Sequence, residues 1–391
     1  MPKQKIVHII TGLNQGGAET VLFRLASNLS NYDHKIISLC SIDNSELASL
    51  FKKKGIDVIS LNMGSCNIFP IFSILKLKKL LQTEQPAIVQ TWMYHANLVG
   101  GLAGRLAGIK NVVWNIRNGA LEKNGEHGKS LNLRTKIGWI VKLGSWFSKR
   151  IPLKIICCST RASEIHKKWG YADKFHIIHN GIDVNEFRPD PAGRLKIREK
   201  LNIDSNTKLV GLIGRFHPQK DISTFLKAAN LICQNKSDIR FVLVGTGITQ
   251  DNSDLSHEID HFHLNNNIHL LGKRQDIVDI LNALDVFVSS SIFGEAFPNV
   301  LPEAMACGIP CVATDVGESA YILGGAGKVV SPSSYIQMAK GIVEMLESSC
   351  PSEEIRGRIV EHFPIEKMVK EYDGFYKELL PCFDKQLIQD K

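Results

Sequence analysis

Two glutamates, Glu295 and Glu303, stand eight positions apart in residues 291–314, SIFGEAFPNVLPEAMACGIPCVAT. Glu295 follows Gly294 at the end of an apolar run, residues 285–289 (DVFVS), that reads as a strand. Glu303 falls in a helical pattern from about residue 299 to 307 that stops at Gly308. One carboxylate therefore sits on the loop leaving a strand and the other on the helix that follows. Residues 296–300 (AFPNV) between them make the helix's first turn. A helix start offers unpaired backbone N–H groups and a partial positive charge, which suits a phosphate. Carboxylates accept hydrogen bonds from sugar hydroxyls. Two acids around a phosphate-facing helix start would hold a hexose, a diphosphate and a ribose, the three parts of a nucleotide sugar. Two solvated glutamates on an ordinary α/β surface have the same spacing, so the pair gains meaning only from the rest of the chain.

Other polar groups recur where apolar runs end. Arg215 and Lys220 flank a turn, GRFHPQKD, after a strand-like run at 208–213. Two fixed cations there could neutralise a diphosphate; standing alone they would read as surface charges. Lys273 follows Gly272 at the end of another run, 269–271. Near the N-terminus a run at 6–10 leads into GLNQGG and a helix from about 18 to 29. Gly16 and Gly17 thus lie in a strand–glycine turn–helix arrangement, where backbone closely approaches a ligand. The spacing is not G-x-G-x-x-G, and a plain βα turn is the alternative. Glu19, in that helix's first turn, favours the helix dipole. His95, in TWMYHAN, and Arg117-Asn118 follow runs at 87–91 and 111–116. A lone histidine is more often structural than catalytic.

The elements that must position these groups alternate throughout. Further strands fit at 34–41, 57–61, 155–159, 176–178, 241–244, 310–313 and 327–330; helices fit at 45–54, 71–81, 96–107, after 221 through 232, 334–346 and about 365–380. Such alternation predicts an α/β fold with doubly wound parallel sheets, whose ligands bind beyond the C-terminal strand ends. At 391 residues two domains are expected. The turn HNGID (179–183) and FRPDP (187–191) place the boundary near 185.

Composition is that of a globular protein, 44% hydrophobic and 22% charged. The nine cysteines show no metal-ligand spacing and are expected as free thiols of a reducing cytosol. No run approaches the ~18 apolar residues that span a bilayer, and the N-terminus does not read as a secretion signal. A cytoplasmic or peripheral protein is expected. The net charge of +8 is unevenly placed: residues 1–185 carry 25 Lys and Arg against 11 Asp and Glu, net +14, and residues 186–391 carry 22 against 28, net −6. The basic half suits an anionic surface. Residues 131–154, LNLRTKIGWIVKLGSWFSKRIPLK, join Trp139, Trp146 and Phe147 to Lys142, Lys149 and Arg150. Interfacial helices need that pairing; a domain helix packed on the sheet is the alternative. No nucleic-acid module is present.

Five signatures stand in order: Gly16-Gly17-Ala18-Glu19; His179-Asn180-Gly181-Ile182-Asp183; Gly214-Arg215 with Lys220; Val244-Gly245-Thr246-Gly247; and Glu295, seven residues, Glu303. Together they resemble the retaining GT-B glycosyltransferases of family four, the group 1 glycosyltransferases. The chain is most similar to bacterial members that build lipopolysaccharide, O-antigen or capsule glycans. The resemblance implies two Rossmann-like domains facing across a cleft: 1–185 for the acceptor, 186–363 for the nucleotide sugar, and a final helix within 364–391 crossing back. It implies that Glu295 contacts donor-sugar hydroxyls and Glu303 the ribose. Arg215 and Lys220 would bind the diphosphate, helped by backbone at Asn299, Val300 and Leu301, with Lys273, Gly16 and Gly17 also on the donor. Glu295, Arg215, Lys220 and His95 form the implied catalytic group, and Glu19, His95 and Arg117 the acceptor side. Many relatives carry a histidine where this chain has Trp114-Asn115-Ile116-Arg117. Either Arg117 serves a different donor or acceptor, or His95 fills the space.

With no D-x-D in the chain, no metal and no cofactor are expected; a nucleotide-diphosphate sugar is the co-substrate. The expected activity is transfer of a hexose to a lipid-linked acceptor at the inner face of the cytoplasmic membrane. A nucleotide-sugar epimerase or hydrolase on the same architecture is the alternative. A silent binding protein fits poorly with four intact site residues, and an NAD dehydrogenase lacks its glycine spacing.

Overall fold

The computed structural model describes residues 3–14, 16–63, 71–119, 136–348 and 350–380. They form two units. The first comprises the described chain up to Gly181 together with the stretch from Ile365; the second is Ile182–Pro364. Residues 182–185, assigned to the first domain from sequence, thus belong to the second. Ile182 donates its N–H to the Phe363 carbonyl (2.9 Å) and bridges Pro364, and the Val184 carbonyl accepts from Arg356 Nη2 (2.8 Å).

The first unit runs β1 (Lys5–Ile10), α1 (Gly17–Asn28), β2 (Asp33–Ser38), α2 (Glu46–Lys53), β3 (Asp57–Ser60), α3 (Ile71–Glu84), β4 (Ile88–Trp92), α4 (Met93–Leu106), β5 (Val112–Ile116), α5 (Lys136–Ser148), β6 (Lys154–Cys157), α6 (Thr160–Lys168) and β7 (Phe175–Ile177). Its seven strands are all parallel, in the order β3-β2-β1-β4-β5-β6-β7. β1 is apolar on both faces, as a central parallel strand must be. Ile6 and Ile10 pack with α1 and α2, and Val7 and Ile9 pack with α3 and α4. The strand order reverses between β1 and β4, so the loops after these two strands flank the crevice where such sheets bind ligands.

The second unit runs α7 (Pro191–Lys200), β8 (Lys208–Ile213), α8 (Ile222–Cys233), β9 (Ile239–Val244), α9 (Ser253–His261), β10 (Ile268–Leu270), α10 (Ile277–Ala283), β11 (Val286–Ser289), α11 (Val300–Ala306), β12 (Cys311–Thr314), α12 (Ser319–Leu323), β13 (Lys328–Val330), α13 (Tyr335–Glu347) and α14 (Ser352–His362). Its six parallel strands follow the order β10-β9-β8-β11-β12-β13, and the switch point lies between β8 and β11.

The last helix, α15 (Ile365–Leu379), belongs to the first unit. Its Met368, Tyr372, Phe375 and Tyr376 are buried in the same cluster as Ile6, Leu22 and Phe51. Tyr376 Oη donates to Gln90 Oε1 on β4. Gly181 explains the HNG turn: a Cβ there would lie 2.7 Å from the Ile365 Cα, so only glycine lets the two chain segments meet.

The same core buries a one-way chain of hydrogen bonds. Trp92 Nε1, which can only donate, lies 3.3 Å from His8 Nδ1. His8 must then carry its proton on Nε2, 2.9 Å from His34 Nδ1, and His34 Nε2 donates to the Leu29 carbonyl at 2.8 Å. Burial lowers both histidine pKa values, His8 strongly, and burial pushes His166 on α6 down to about 4. The folded unit holds all three neutral, whereas the unfolded chain takes up protons from about pH 6.5 downward. Their contribution to stability is complete above that pH and is lost as pH falls, by up to ~1.4 kcal/mol per histidine per pH unit. Urea unfolding of the first unit should weaken markedly between pH 7 and pH 5; a flat profile over that range would contradict the buried neutral assignment.

Candidate functional site

In the second unit the loops beyond the switch point assemble the expected donor residues. After β8 the chain passes Gly214 and the exposed Arg215 to a single 3₁₀ turn, Pro218–Lys220. Lys220 folds its stem across Gly214, where an added Cβ would come within 3.2 Å of the lysine side chain. Asp221, in the left-handed region (φ 44°), then caps α8. After β11 the chain reaches Gly294, whose φ of 79° turns it toward Glu295. The two loops are tied together: Ser290 Oγ donates to the Lys220 carbonyl, and Ile292 N–H donates to the Gln219 carbonyl at 2.9 Å.

The result is a close ion pair. Lys220 Nζ lies 2.6 Å from Glu295 Oε1, with the two side chains 22% and 13% exposed. Ser291 Oγ donates to the same oxygen at 3.0 Å. Burial by itself would raise the Glu295 carboxyl, but Lys220, Ser291 and Arg215 outweigh it and hold the group below its ordinary value. The carboxylate is therefore ionised and oriented. The loop carrying it is braced from behind: Glu318 N–H donates to the Ala296 carbonyl (3.0 Å), and a Cβ on Gly317 would come within 2.4 Å of the Glu295 carbonyl oxygen. His217, beside both cations, has its pKa lowered by partial burial and then by Arg215 and Lys220.

Glu303 lies in the first turn of α11, 7% exposed. Of the backbone amides expected to face a phosphate, that of Leu301 is already given to the Pro298 carbonyl at 3.1 Å. Asn299 occupies the N-cap position and Val300 begins the helix. The turns after β9 and β10 close the rim. Gly245 (φ 148°) donates to the Gly272 carbonyl at 2.8 Å, and a Cβ on it would sit 2.0 Å from the Gly214 carbonyl oxygen. Only glycine allows that stacking of loops. Lys273 is exposed beyond it.

In the first unit Gly16, Gly17 and Glu19 follow β1, and Met93, Tyr94 and His95 follow β4, on the two sides of the other switch point. Gly16 caps α1, and a Cβ on it would meet Glu19 Oε2 at 2.5 Å. Burial raises the Glu19 carboxyl. His95 does not sit on a loop as expected. α4 starts at Met93 with no linker after β4, so His95 lies in the helix's first turn. Met93 makes that junction with φ 70°, and it is the one apolar side chain among the described non-glycine residues with positive φ. Left-handed backbone at a bulky residue costs roughly 1–2 kcal/mol and concentrates at functional turns.

Arg117 has work inside its own unit. Its Nε donates to Asn115 Oδ1 (3.0 Å), Nη1 to Asn180 Oδ1 and Nη2 to Tyr372 Oη (2.6 Å), and its guanidinium stacks 5.0 Å over the Trp92 ring. An acceptor would meet only the N–H groups these contacts leave over.

The part of the basic, tryptophan-bearing stretch before Lys136 lies outside the described residues. From there on, α5 buries Val141 and turns Trp139 and Trp146 outward, 56% and 54% exposed. Lys142 Nζ lies 5.8 Å from the Trp139 ring and the Arg150 guanidinium 5.2 Å from the Trp146 ring. The sequence reading missed a second apolar surface: Ile71, Phe72 and Leu75 on α3 are 67%, 88% and 52% exposed. Consecutive apolar residues at the start of a helix also fit a buried end, so the pattern gave no sign of it. Among the described residues no helix is long and apolar enough to cross a membrane, and no group of three or more His, Cys, Asp or Glu could hold a metal.

Two parallel-sheet, Rossmann-like units, with charged side chains at the switch point of the second, define a GT-B enzyme. Residues 15–186 match the family described as Glycosyltransferase Family 4, and residues 193–362 match Glycosyl transferases group 1. The chain is 30% identical, over 79% of its own length and 79% of the relative's, to an Escherichia coli UDP-Gal:alpha-D-GlcNAc-diphosphoundecaprenol alpha-1,3-galactosyltransferase. It is 23% identical over 97% of its length to the Staphylococcus aureus capsular polysaccharide biosynthesis glycosyltransferase CapM, covering 98% of that protein. Among solved structures, Anabaena HepE in complex with UDP and glucose superposes with a TM-score of 0.81 at 21% identity, over 96% of this chain and 99% of that one. The chain belongs to the group 1, family 4 glycosyltransferases. It is a glycosyltransferase, and its relatives do not favour the epimerase or hydrolase alternative.

Proposed function

We propose that this protein transfers a hexose from a nucleoside-diphosphate sugar to a lipid-linked glycan acceptor, keeping the anomeric configuration and using no divalent cation. The observation that carries the reading is the Lys220–Glu295 pair with Arg215 beside it, at the switch point of the second unit. In this reading Arg215 and Lys220 balance the charge that develops on the leaving diphosphate, the task a metal ion performs elsewhere. Glu295 accepts hydrogen bonds from sugar hydroxyls, Glu303 from the ribose, and the Val300 end of α11 lies toward the phosphates with Asn299. Glu19 and His95 meet the acceptor. The E. coli relative's name prints an alpha-1,3 linkage, which is what retention would form from an α-configured donor.

The lipid-linked acceptor is supported by that relative, which acts on a diphosphoundecaprenol. The basic first half and the outward Trp139, Trp146 and Phe72 supply a surface for the inner leaflet of the cytoplasmic membrane. Anionic lipid attracts such a surface at roughly 1 kcal/mol per basic residue. The protein should therefore sediment with anionic vesicles at low salt; failure to do so would remove the membrane part.

The test of the donor site is a thermal-shift screen of the purified protein against nucleotide sugars in EDTA. Saturation at 100 times Kd should add about 2.7 kcal/mol to the bound state and raise Tm visibly. The name of the E. coli relative makes a UDP-hexose the first to try. No shift with any nucleotide sugar would overturn the reading. A shift that vanishes in EDTA and returns with Mg²⁺ would overturn its metal-free part.

A further inference from the structure

We infer that Glu295 sets how firmly the spent nucleoside diphosphate is held, by competing with its phosphates for Lys220, so that the site prefers the sugar-bearing donor to the bare product. The inference rests on the donor site proposed above and assigns Glu295 a second task there.

In the free site Lys220 is already paired. Its ammonium lies 2.6 Å from a carboxylate oxygen that Ser291 Oγ also holds. Both partners are carried on tied loops. The Lys220 stem is laid across Gly214, its N–H donates to the His217 carbonyl (2.9 Å), and its carbonyl accepts from Ser290. Glu295 is braced by Gly317 and Glu318. A phosphate that reaches Lys220 therefore arrives beside a fixed negative charge.

The two ligands meet that charge differently. A nucleotide sugar carries two negative charges on its diphosphate and brings hydroxyls whose protons the carboxylate accepts. The product diphosphate carries nearly one charge more, since its terminal phosphate has a second pKa of about 6. It also brings no hydroxyl to the carboxylate. Repulsion falls hardest on the product, and departure of the sugar converts a compensated carboxylate into an uncompensated one. Arg215, exposed and without Glu295's close contact, does not cancel this.

The experiment is calorimetric titration of the full-length protein in EDTA with UDP and with UDP-galactose. Glu295→Gln should bind UDP about 10-fold more tightly, a gain of about 1.4 kcal/mol. It should bind UDP-galactose no more tightly than the unmodified protein and be more easily inhibited by UDP. Lys220→Met should weaken both ligands. Lys220→Met/Glu295→Gln removes both charges at once, leaves no buried unpaired ion, and should recover most of the UDP affinity that Lys220→Met loses. UDP binding by Glu295→Gln that is unchanged or weaker would overturn the inference. If Glu295→Gln does not fold, a double variant as weak for UDP as Lys220→Met would overturn it equally. If the unmodified protein binds neither UDP, GDP nor ADP, the donor site itself is wrong and the inference falls with it.

Discussion

Replacing Arg215 and Lys220 together by alanine should lower transfer by more than about 10⁴-fold while leaving both units folded. In the proposed reading each cation faces the place where the leaving diphosphate gains charge, and removal of one preorganised donor of this kind typically costs on the order of 3–4 kcal/mol, or 10²–10³ in rate. The singles will differ. Arg215 is exposed and is the smallest of the groups that hold Glu295 down, so its loss acts chiefly through the ligand. Lys220 is the partner of a nearly buried carboxylate, so Lys220→Ala also frees Glu295 to rise toward its protonated form. Transfer by Lys220→Ala should accordingly fall further at mildly acid pH than transfer by Arg215→Ala. The check is the initial rate of sugar transfer across pH, with melting temperature as the control for folding. A double variant within 10-fold of the unmodified rate would remove the cations from the chemistry.

Asp285→Ala should be the most damaging single change to the second unit. Asp285 immediately precedes β11 and accepts from Arg194 Nη2 at 2.8 Å, Arg198 Nη1 at 3.2 Å and the Leu209 N–H at 2.7 Å. It thereby ties α7 to the edge of β8 and β11. Alanine would leave two guanidiniums and a strand N–H without their acceptor, one of them on Arg198, which is 6% exposed. Breaking a buried pair from one side costs roughly 3–5 kcal/mol, which for a unit of this size lowers Tm by roughly 10 °C. Calorimetry resolving the two units would measure it. A loss below about 1 kcal/mol would mean that the carbonyls also bound by these arginines suffice, among them Ala283, Asp204 and Thr207.

Most strands were readable because they are short, β-branched runs closed by a turn residue, and polar residues after them marked Arg215, Lys220 and Glu295 one by one. What the sequence does not carry is their pairing. Lys220 and Glu295 lie 75 residues apart, and only the strand order β8-β11 makes them neighbours. The sequence pattern starts α4 at residue 96; a left-handed turn is normally announced by glycine, and Met93 takes that conformation without the signal. Arg117 was readable as a polar strand end, but Tyr372, 255 residues on, was not readable as its partner. The amphipathic face of α5 was legible; that Trp139 and Trp146 point outward depends on Val141, Ile140 and Phe147 having taken the side facing the sheet.

The place of α15 has a consequence for biosynthesis. Met368, Tyr372, Phe375 and Tyr376 fill the core that α1, α2 and β1 begin to build. A nascent chain makes all of the first unit's strands early but receives this last part of its core only after the entire second unit has been translated. The second unit, continuous in sequence, can fold as it emerges. The first must wait, with Gln90, Asn115 and Arg117 lacking their tyrosine partners and an apolar trough open above β1 and β4. Domains usually fold in the order of synthesis; here the second unit's residues are complete before the first unit's. A released chain ending just before Ile365 would hold a complete second unit and an unfinished first, the species most in need of a chaperone.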